Sequence, residues 1–191
     1  MKNDKRKVVL ITDGDQSARK SIENIAELVG GRCISLSAGN PTPVSGEDIV
    51  QLIKMTLNDP VLIMFDDRGK RGQGKGEKAM DYVINHPDIE VLGVVAVASN
   101  TECTKEVDVD VSVDRYGQVV EGSVDKEGFR STGNLAGDTV EILENENVSL
   151  IIGTGDIGKM DGLDSSKKGS PVTLKAVEEI LARSGFHARK S

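Results

Sequence analysis

The sequence predicts an α/β protein: an open, mostly parallel Rossmann- or flavodoxin-like sheet with helices on both faces and an inserted β-hairpin. Three observations carry this. Aliphatic runs alternate with amphipathic segments at a spacing of about 25–30 residues, as in βαβ units. The chain of 191 residues has 3% aromatics and no Trp, so Val, Ile, Leu and Ala must build the core. Continuous aliphatic runs suit parallel strands buried on both faces. We read residues 1–191 as a single domain.

Val8 to Thr12 is the first strand. Ser17 to Val29 places Ile22, Ile25, Ala26, Leu28 and Val29 on one helical face, and Gly30-Gly31 ends that helix. Cys33 to Leu36 reads as a short strand, followed by the turn-rich Ala38-Gly39-Asn40-Pro41-Thr42-Pro43. Ser45 is an N-cap, with Glu47 and Asp48 in the first turn. That helix continues through Leu57 and Pro60 stops it. Val61 to Phe65 is the third strand, Lys78 to Ile84 the third helix, and Val91 to Val97 the fourth strand.

The pattern then changes. Val107 to Val113 alternates with acids, which predicts a half-exposed strand. Arg115-Tyr116-Gly117-Gln118 is a turn, and Val119 to Val124 returns as the second arm of a hairpin that spans about 107–128. Asp125 to Gly128 is a further turn. Gly137 to Leu143 is predicted as a short helix and Ser149 to Ile152 as a strand. A glycine-rich loop from Gly153 to Gly169 leads to a last helix opened by Ser170-Pro171 and closed by Gly185.

Charge limits the partners. The net charge of −7 argues against nucleic acid, which needs a basic footprint. The acids concentrate between Glu102 and Glu146, where twelve acidic and four basic residues give −8. No signal peptide is evident, and no apolar run approaches the ~18 residues of a membrane span. Any membrane role is expected to be peripheral. Cys33 and Cys103 read as two reduced thiols, and neither His86 nor His187 has a local acid–nucleophile constellation.

Four carboxylates follow strands: Asp13 and Asp15 after the first, Asp66 and Asp67 after the third. Strand C-termini line one edge of a parallel sheet, and ligands bind where strand order reverses. If strands one and three are neighbours, these acids converge on an oxygen-lined site for magnesium or calcium. The competing expectation is that they cap helices or close turns.

Three glycine-rich or polar loops are expected on the same edge. Gly69 to Gly76 holds Gly69, Gly72, Gly74 and Lys75 and matches most of a P-loop. Gly76 stands where the metal-binding hydroxyl belongs, and Asp66-Asp67 upstream would repel phosphate. Gly153-Thr154-Gly155-Asp156-Ile157-Gly158 fits a dinucleotide fingerprint, but no helix opens within it. We read it as a rim loop, with Lys159 facing Asp13 or Asp66. Ser99, Asn100 and Thr101 add hydroxyl and amide ligands. Asp13-Gly14-Asp15 also resembles the paired acids of Toprim enzymes, whose earlier glutamate strand has no counterpart here.

Several segments resemble one family when taken in order. They are Ile11 to Asp15, Gly31 to Ser35 with Ser37 to Pro43, Met64 to Asp67, His86 to Gly93, Val97 to Thr101, Val124 to Gly128, Gly155 to Met160 and Gly169 to Pro171. The chain resembles stage V sporulation protein AE, the soluble SpoVAE type. That resemblance implies a spore or forespore setting, other SpoVA proteins as partners, and a place in sporulation or germination. It also implies association with the spore inner membrane and with calcium-dipicolinate handling. It implies no catalytic residues. In the family's glycine loop Asp66, Asp67, several glycines and Glu77 are retained, whereas Lys75 is not a hallmark. We therefore expect a non-catalytic binding component, with the hairpin edge as a surface for partners or a second copy. The alternative is a magnesium-dependent phosphotransfer or hydrolytic enzyme using the aspartates.

Overall fold

The computed structural model describes residues 4–69, 74–100, 105–144, 146 and 148–187. Its first half alternates as expected: β1 (Arg6–Ile11), α1 (Gln16–Leu28), β2 (Arg32–Cys33), α2 (Gly46–Met55), β3 (Val61–Met64), α3 (Lys75–Ile84) and β4 (Ile89–Val97). Six short strands follow: β5 (Lys105–Val107), β6 (Val111–Val113), β7 (Val119–Val120), β8 (Ser123–Val124), β9 (Arg130–Ser131) and β10 (Leu135–Gly137). The last elements are β11 (Ile151–Thr154) and α4 (Pro171–Arg183).

Seven strands form one sheet in the order β2-β3-β1-β4-β11-β6-β7, parallel except for β7. β1 and β3 are neighbours, as the aspartate argument requires, although β3 rather than β1 stands next to β2. Strand order reverses at β1 and β4. The chain leaves β1 toward β2 and leaves β4 toward β11, so a crevice opens between their C-terminal ends.

Burial on both faces explains the aliphatic strands. Val9 and Ile11 pack with Ile22 and Ile25 of α1 and Val177 and Ile180 of α4. Val8 and Leu10 pack with Ile49 and Ile53 of α2 and Met80 and Val83 of α3. Each such Ile or Leu contributes about 1.5–3 kcal/mol by leaving water.

The crossover from β4 to β11 departs from expectation. Val107 to Val113 is not one half-exposed strand. Val107 pairs with Leu135 in a separate two-stranded β10-β5 ribbon, while β6 joins the main sheet between β11 and β7. The alternation misleads because Val111, Ser112 and Val113 are all buried. Asp110 ends the intervening turn by accepting the Ile151 N–H at 2.7 Å. Gly137 to Leu143 is likewise not a helix. Gly137 closes β10, Thr139 adopts φ 61, and only Glu141–Glu144 forms a 3₁₀ turn. The β10-β5 ribbon and this turn cover the α2/α3 face beside α3, in place of a crossover helix.

The predicted hairpin forms as β6-β7, turned through Gly117 at φ 76 and held by Asp114, whose Oδ1 accepts from Tyr116 and Gln118. Asp125 to Gly128 turns a second hairpin, β8-β9. Smaller differences concern element ends. α2 stops at Met55, before Leu57, and α3 starts at Lys75, three residues earlier than Lys78. Only Arg32–Cys33 is strand; Ser35–Ser37 is a 3₁₀ turn.

Candidate functional site

The crevice at the strand edge is a cavity of about 210 Å³. Its lining comes from five loops: Asp13 and Asp15 after β1, Asn40 after β2, Asp66 after β3, Ser99 after β4, and Asp156 with Lys159 after β11. Asp138 and Lys126 complete it from the β5–β10 insertion. Thr12 floors the crevice by accepting the Val97 N–H, which closes β1 against β4.

Each carboxylate is set by its turn. Asp15 is the N-cap of α1: its Oδ1 accepts from Ser17 at 2.7 Å and Ala18 at 2.8 Å. Its other oxygen accepts from Lys159 Nζ at 2.7 Å. Lys159 also reaches Asp156 Oδ1 at 3.0 Å. Asp13 accepts the Asp15 N–H at 3.1 Å. One carboxylate oxygen each from Asp13, Asp15 and Asp156 lie within 4.8 Å of one another. Asp66 is held by the Arg68 N–H on its Oδ1, and Asp138 accepts the Gly69 N–H. Gly14 allows this convergence, since a Cβ there would lie 2.8 Å from Gly39 O and 3.1 Å from Asp66 Cβ.

Crowded acids with little water hold protons. Loss of solvent, then Asp15, pushes Asp13 up to about 8. Loss of solvent, with Asp138 nearby, pushes Asp66 up to about 6, and burial raises Asp138 as well. Burial opposes the charge of Asp15, but Lys159 and the Ala18 amide outweigh it and lower its pKa. Burial likewise opposes the Lys159 charge, yet its bonds to Asp15 and Asp156 raise its pKa.

A pH dependence follows. Asp13, Asp66 and Glu77, the last pushed up to about 7 mainly by burial, bind protons more tightly folded than unfolded. Their contribution is complete below the unfolded carboxyl range and is lost as pH rises through these values. Stability is therefore expected to fall from pH 5 to pH 8.5 in the presence of a chelator, and thermal unfolding across that range checks it. A melting temperature that rises with pH would contradict the assignment.

Asp67 has a different place. Its Oδ1 accepts from Gly76 at 2.7 Å and its Oδ2 from Glu77 at 2.8 Å, so it fills the amide pocket at the start of α3. Gly74 packs directly on that carboxylate. A Cβ at Gly76 would lie 2.6 Å from Asp66 O, which explains why no hydroxyl residue stands there. Lys75 is exposed on the first turn of α3, and Gly69 donates to Asp138 beside the crevice.

Ser99 lines the cavity and Asn100 is exposed beyond it; Gly72, Thr101 and Cys103 lie outside the described residues. Gly153 packs on Ser112 and Leu135 inside the sheet, and Gly155 on Lys126 O and Gly128 N, so both serve packing. Cys33 is free, and burial pushes its thiol up to about 12, which leaves little thiolate.

Sequence reasoning brought Asp13, Asp15, Asp66, Ser99 and Lys159 to this edge. It missed Asn40, Lys126, Asp138 and Asp156 as lining residues. Asp156 was visible as the polar residue of a glycine-rich loop after a strand. Asp138 had no such signal, because the pattern of its segment predicts a helix.

Among the described residues, no helix is long and apolar enough to cross a membrane. No curated protein and no solved structure matches the chain. Residues 7–184 match the family model described as stage V sporulation protein AE1 (SpoVAE), a span that holds every lining residue of the crevice. The chain belongs to the stage V sporulation protein AE1 family, and its role is related to sporulation.

Proposed function

We propose that the protein acts by binding rather than catalysis, and that its strand-edge crevice takes a divalent cation, calcium above all, alone or chelated by a small dicarboxylate such as dipicolinate. One observation carries this reading: among the described residues, Asp13, Asp15, Asp66, Asp138 and Asp156 face one cavity with only Lys126 and Lys159 to balance them. A free dianion would meet net negative charge there. A cation, or an anion that arrives with one, would not.

The helix N-termini support the same sign. Asp15 caps α1, Asp67 fills the start of α3, and Asp164 accepts the Val172 and Thr173 amides of α4. At these three helices the anion-binding amides are thus already occupied by the chain's own carboxylates, while α2 is capped by the Ser45 hydroxyl. Calcium accepts six to eight oxygen ligands in flexible geometry, which leaves positions for a bound dicarboxylate. The family's sporulation role and the resemblance to SpoVA components favour action beside other SpoVA proteins at the spore inner membrane, peripherally, with the β6-β7 edge as a contact surface.

Calorimetry with calcium, magnesium, dipicolinate and the calcium–dipicolinate complex tests the reading. Saturable heat is expected for calcium or its complex and none for dipicolinate alone. Heat for free dipicolinate but not calcium would overturn it. Magnesium-dependent phosphoryl transfer is the second reading. It is favoured by the unlike protonation of adjacent Asp13 and Asp15, a split typical of acid–base pairs. Release of phosphate from a model phosphomonoester, abolished in Asp15→Asn, would support it.

A further inference from the structure

Arg115 follows β6 in the hairpin turn, yet its side chain is only 8% exposed. Its guanidinium carbon lies 4.2 Å from the centre of the Phe129 ring, close enough for cation–π attraction. Nη2 donates to Asp161 Oδ2 at 2.7 Å. Among the described residues, Nε and Nη1 are buried without a hydrogen-bond partner. Dry, unpaired N–H groups on a charged side chain are costly, and an apolar residue of similar length would avoid that cost. Such a group calls for a reason other than stability.

The residue it grips supplies that reason. Asp161 is 74% exposed and lies two residues from Lys159. Met160 and Asp161 have φ of 48 and 53, with Gly158 and Gly162 at 75 and 77 on either side. Consecutive non-glycine residues at positive φ cost of order 1–3 kcal/mol each and persist only where the surroundings fix them. Three contacts do so besides Arg115 on Asp161. Asp164 Oδ2 accepts the Gly158 N–H at 2.9 Å, Lys168 Nζ donates to Gly162 O at 2.7 Å, and the Met160 side chain is buried in the core. From this turn Lys159 reaches Asp15 and Asp156.

We propose that Arg115 is a positioning residue: by gripping Asp161 it fixes the Gly158–Gly162 turn and so holds the Lys159 ammonium between Asp15 and Asp156. The consequence for ligand binding rests on the cation reading above. Lys159 occupies carboxylate oxygens that a divalent cation would need, so it is a resident competitor. Loosening Arg115 from Asp161 weakens that competitor and strengthens binding of the cation.

The test compares full-length wild type with Arg115→Met and Asp161→Gly. Met keeps the length and apolar packing, and Gly tolerates positive φ while removing the acceptor. The primary readout is the NMR signal of the Lys159 ammonium, assigned through Lys159→Arg and recorded without added cation. It is expected to be slowly exchanging in wild type and to collapse into the solvent-exposed lysines in both variants. The second readout is calorimetric calcium affinity, expected to rise at least threefold in both. A Lys159 signal unchanged in folded variants overturns the proposal, as does a wild-type Lys159 indistinguishable from free lysines. Absence of calcium binding to wild type strikes the cation reading instead, and the ammonium signal then decides the positioning role by itself. If Arg115→Met does not fold, Asp161→Gly carries the test, because the Asp161 side chain lies largely in solvent.

Discussion

Replacing Asp164 by alanine is expected to lower the stability of the fold by about 4 kcal/mol. Asp164 is fully buried and accepts four hydrogen bonds. Its Oδ1 takes the Val172 and Thr173 amides at 2.9 and 3.0 Å; its Oδ2 takes the Thr173 hydroxyl at 2.6 Å and the Gly158 amide at 2.9 Å. Alanine would strand four donors and remove the cap of α4, whose Val172, Val177 and Ile180 are buried in the core. Bonds to a carboxylate contribute about 1.5–3 kcal/mol each but do not add in full. Urea unfolding checks the value. Asp164→Asn should lose about half as much, since one acceptor oxygen survives. A loss below about 1 kcal/mol for alanine would mean that the four donors find other partners.

Asp67→Ala is expected to cost about 3 kcal/mol and to leave calcium binding within about twofold of wild type. The cost arises because Gly76 and Glu77 would start α3 with buried, unpaired amides. Calcium binding should persist because both Asp67 oxygens are already committed to those amides and Asp67 does not line the crevice. Hydrogen exchange at Gly76 and Glu77 should accelerate, which localises the loss. Tenfold weaker calcium binding in a folded Asp67→Ala protein would instead return Asp67 to the ligand set.

These two aspartates show where the sequence is legible. Asp15, two residues after a strand and just before a helical stripe, announces an N-cap, and local pattern suffices. Asp67 precedes its helix by eight residues, and Asp164 precedes Pro171 by seven, so both caps are formed by loops folding back. Ser170 stands where a cap is expected, but its side chain makes no capping bond and its hydroxyl instead donates to Ser21 at 2.7 Å. No periodicity reports such closures.

The sheet is legible for the opposite reason. β1, β3 and β4 are continuous aliphatic runs because both faces are covered, and hydrophobicity alone marks them. The β5–β10 region is not, because its strands are two or three residues long and their partners lie far along the chain, as with Val107 and Leu135. The crevice was half visible. Asp13, Asp15 and Asp66 follow strands whose adjacency could be guessed, whereas Asp138 and Lys126 arrive from the insertion, whose path depends on that long-range pairing.

The carboxylates of the strand edge are proposed to make one divalent-cation site together. Calorimetric titration of calcium into wild type and into the Asp13→Asn/Asp156→Asn double variant, at pH 8 and low ionic strength, tests it most directly. Saturable binding at one site is expected in wild type, and its loss in the folded variant. Equal binding by the two proteins, or none by the folded wild type, would contradict it.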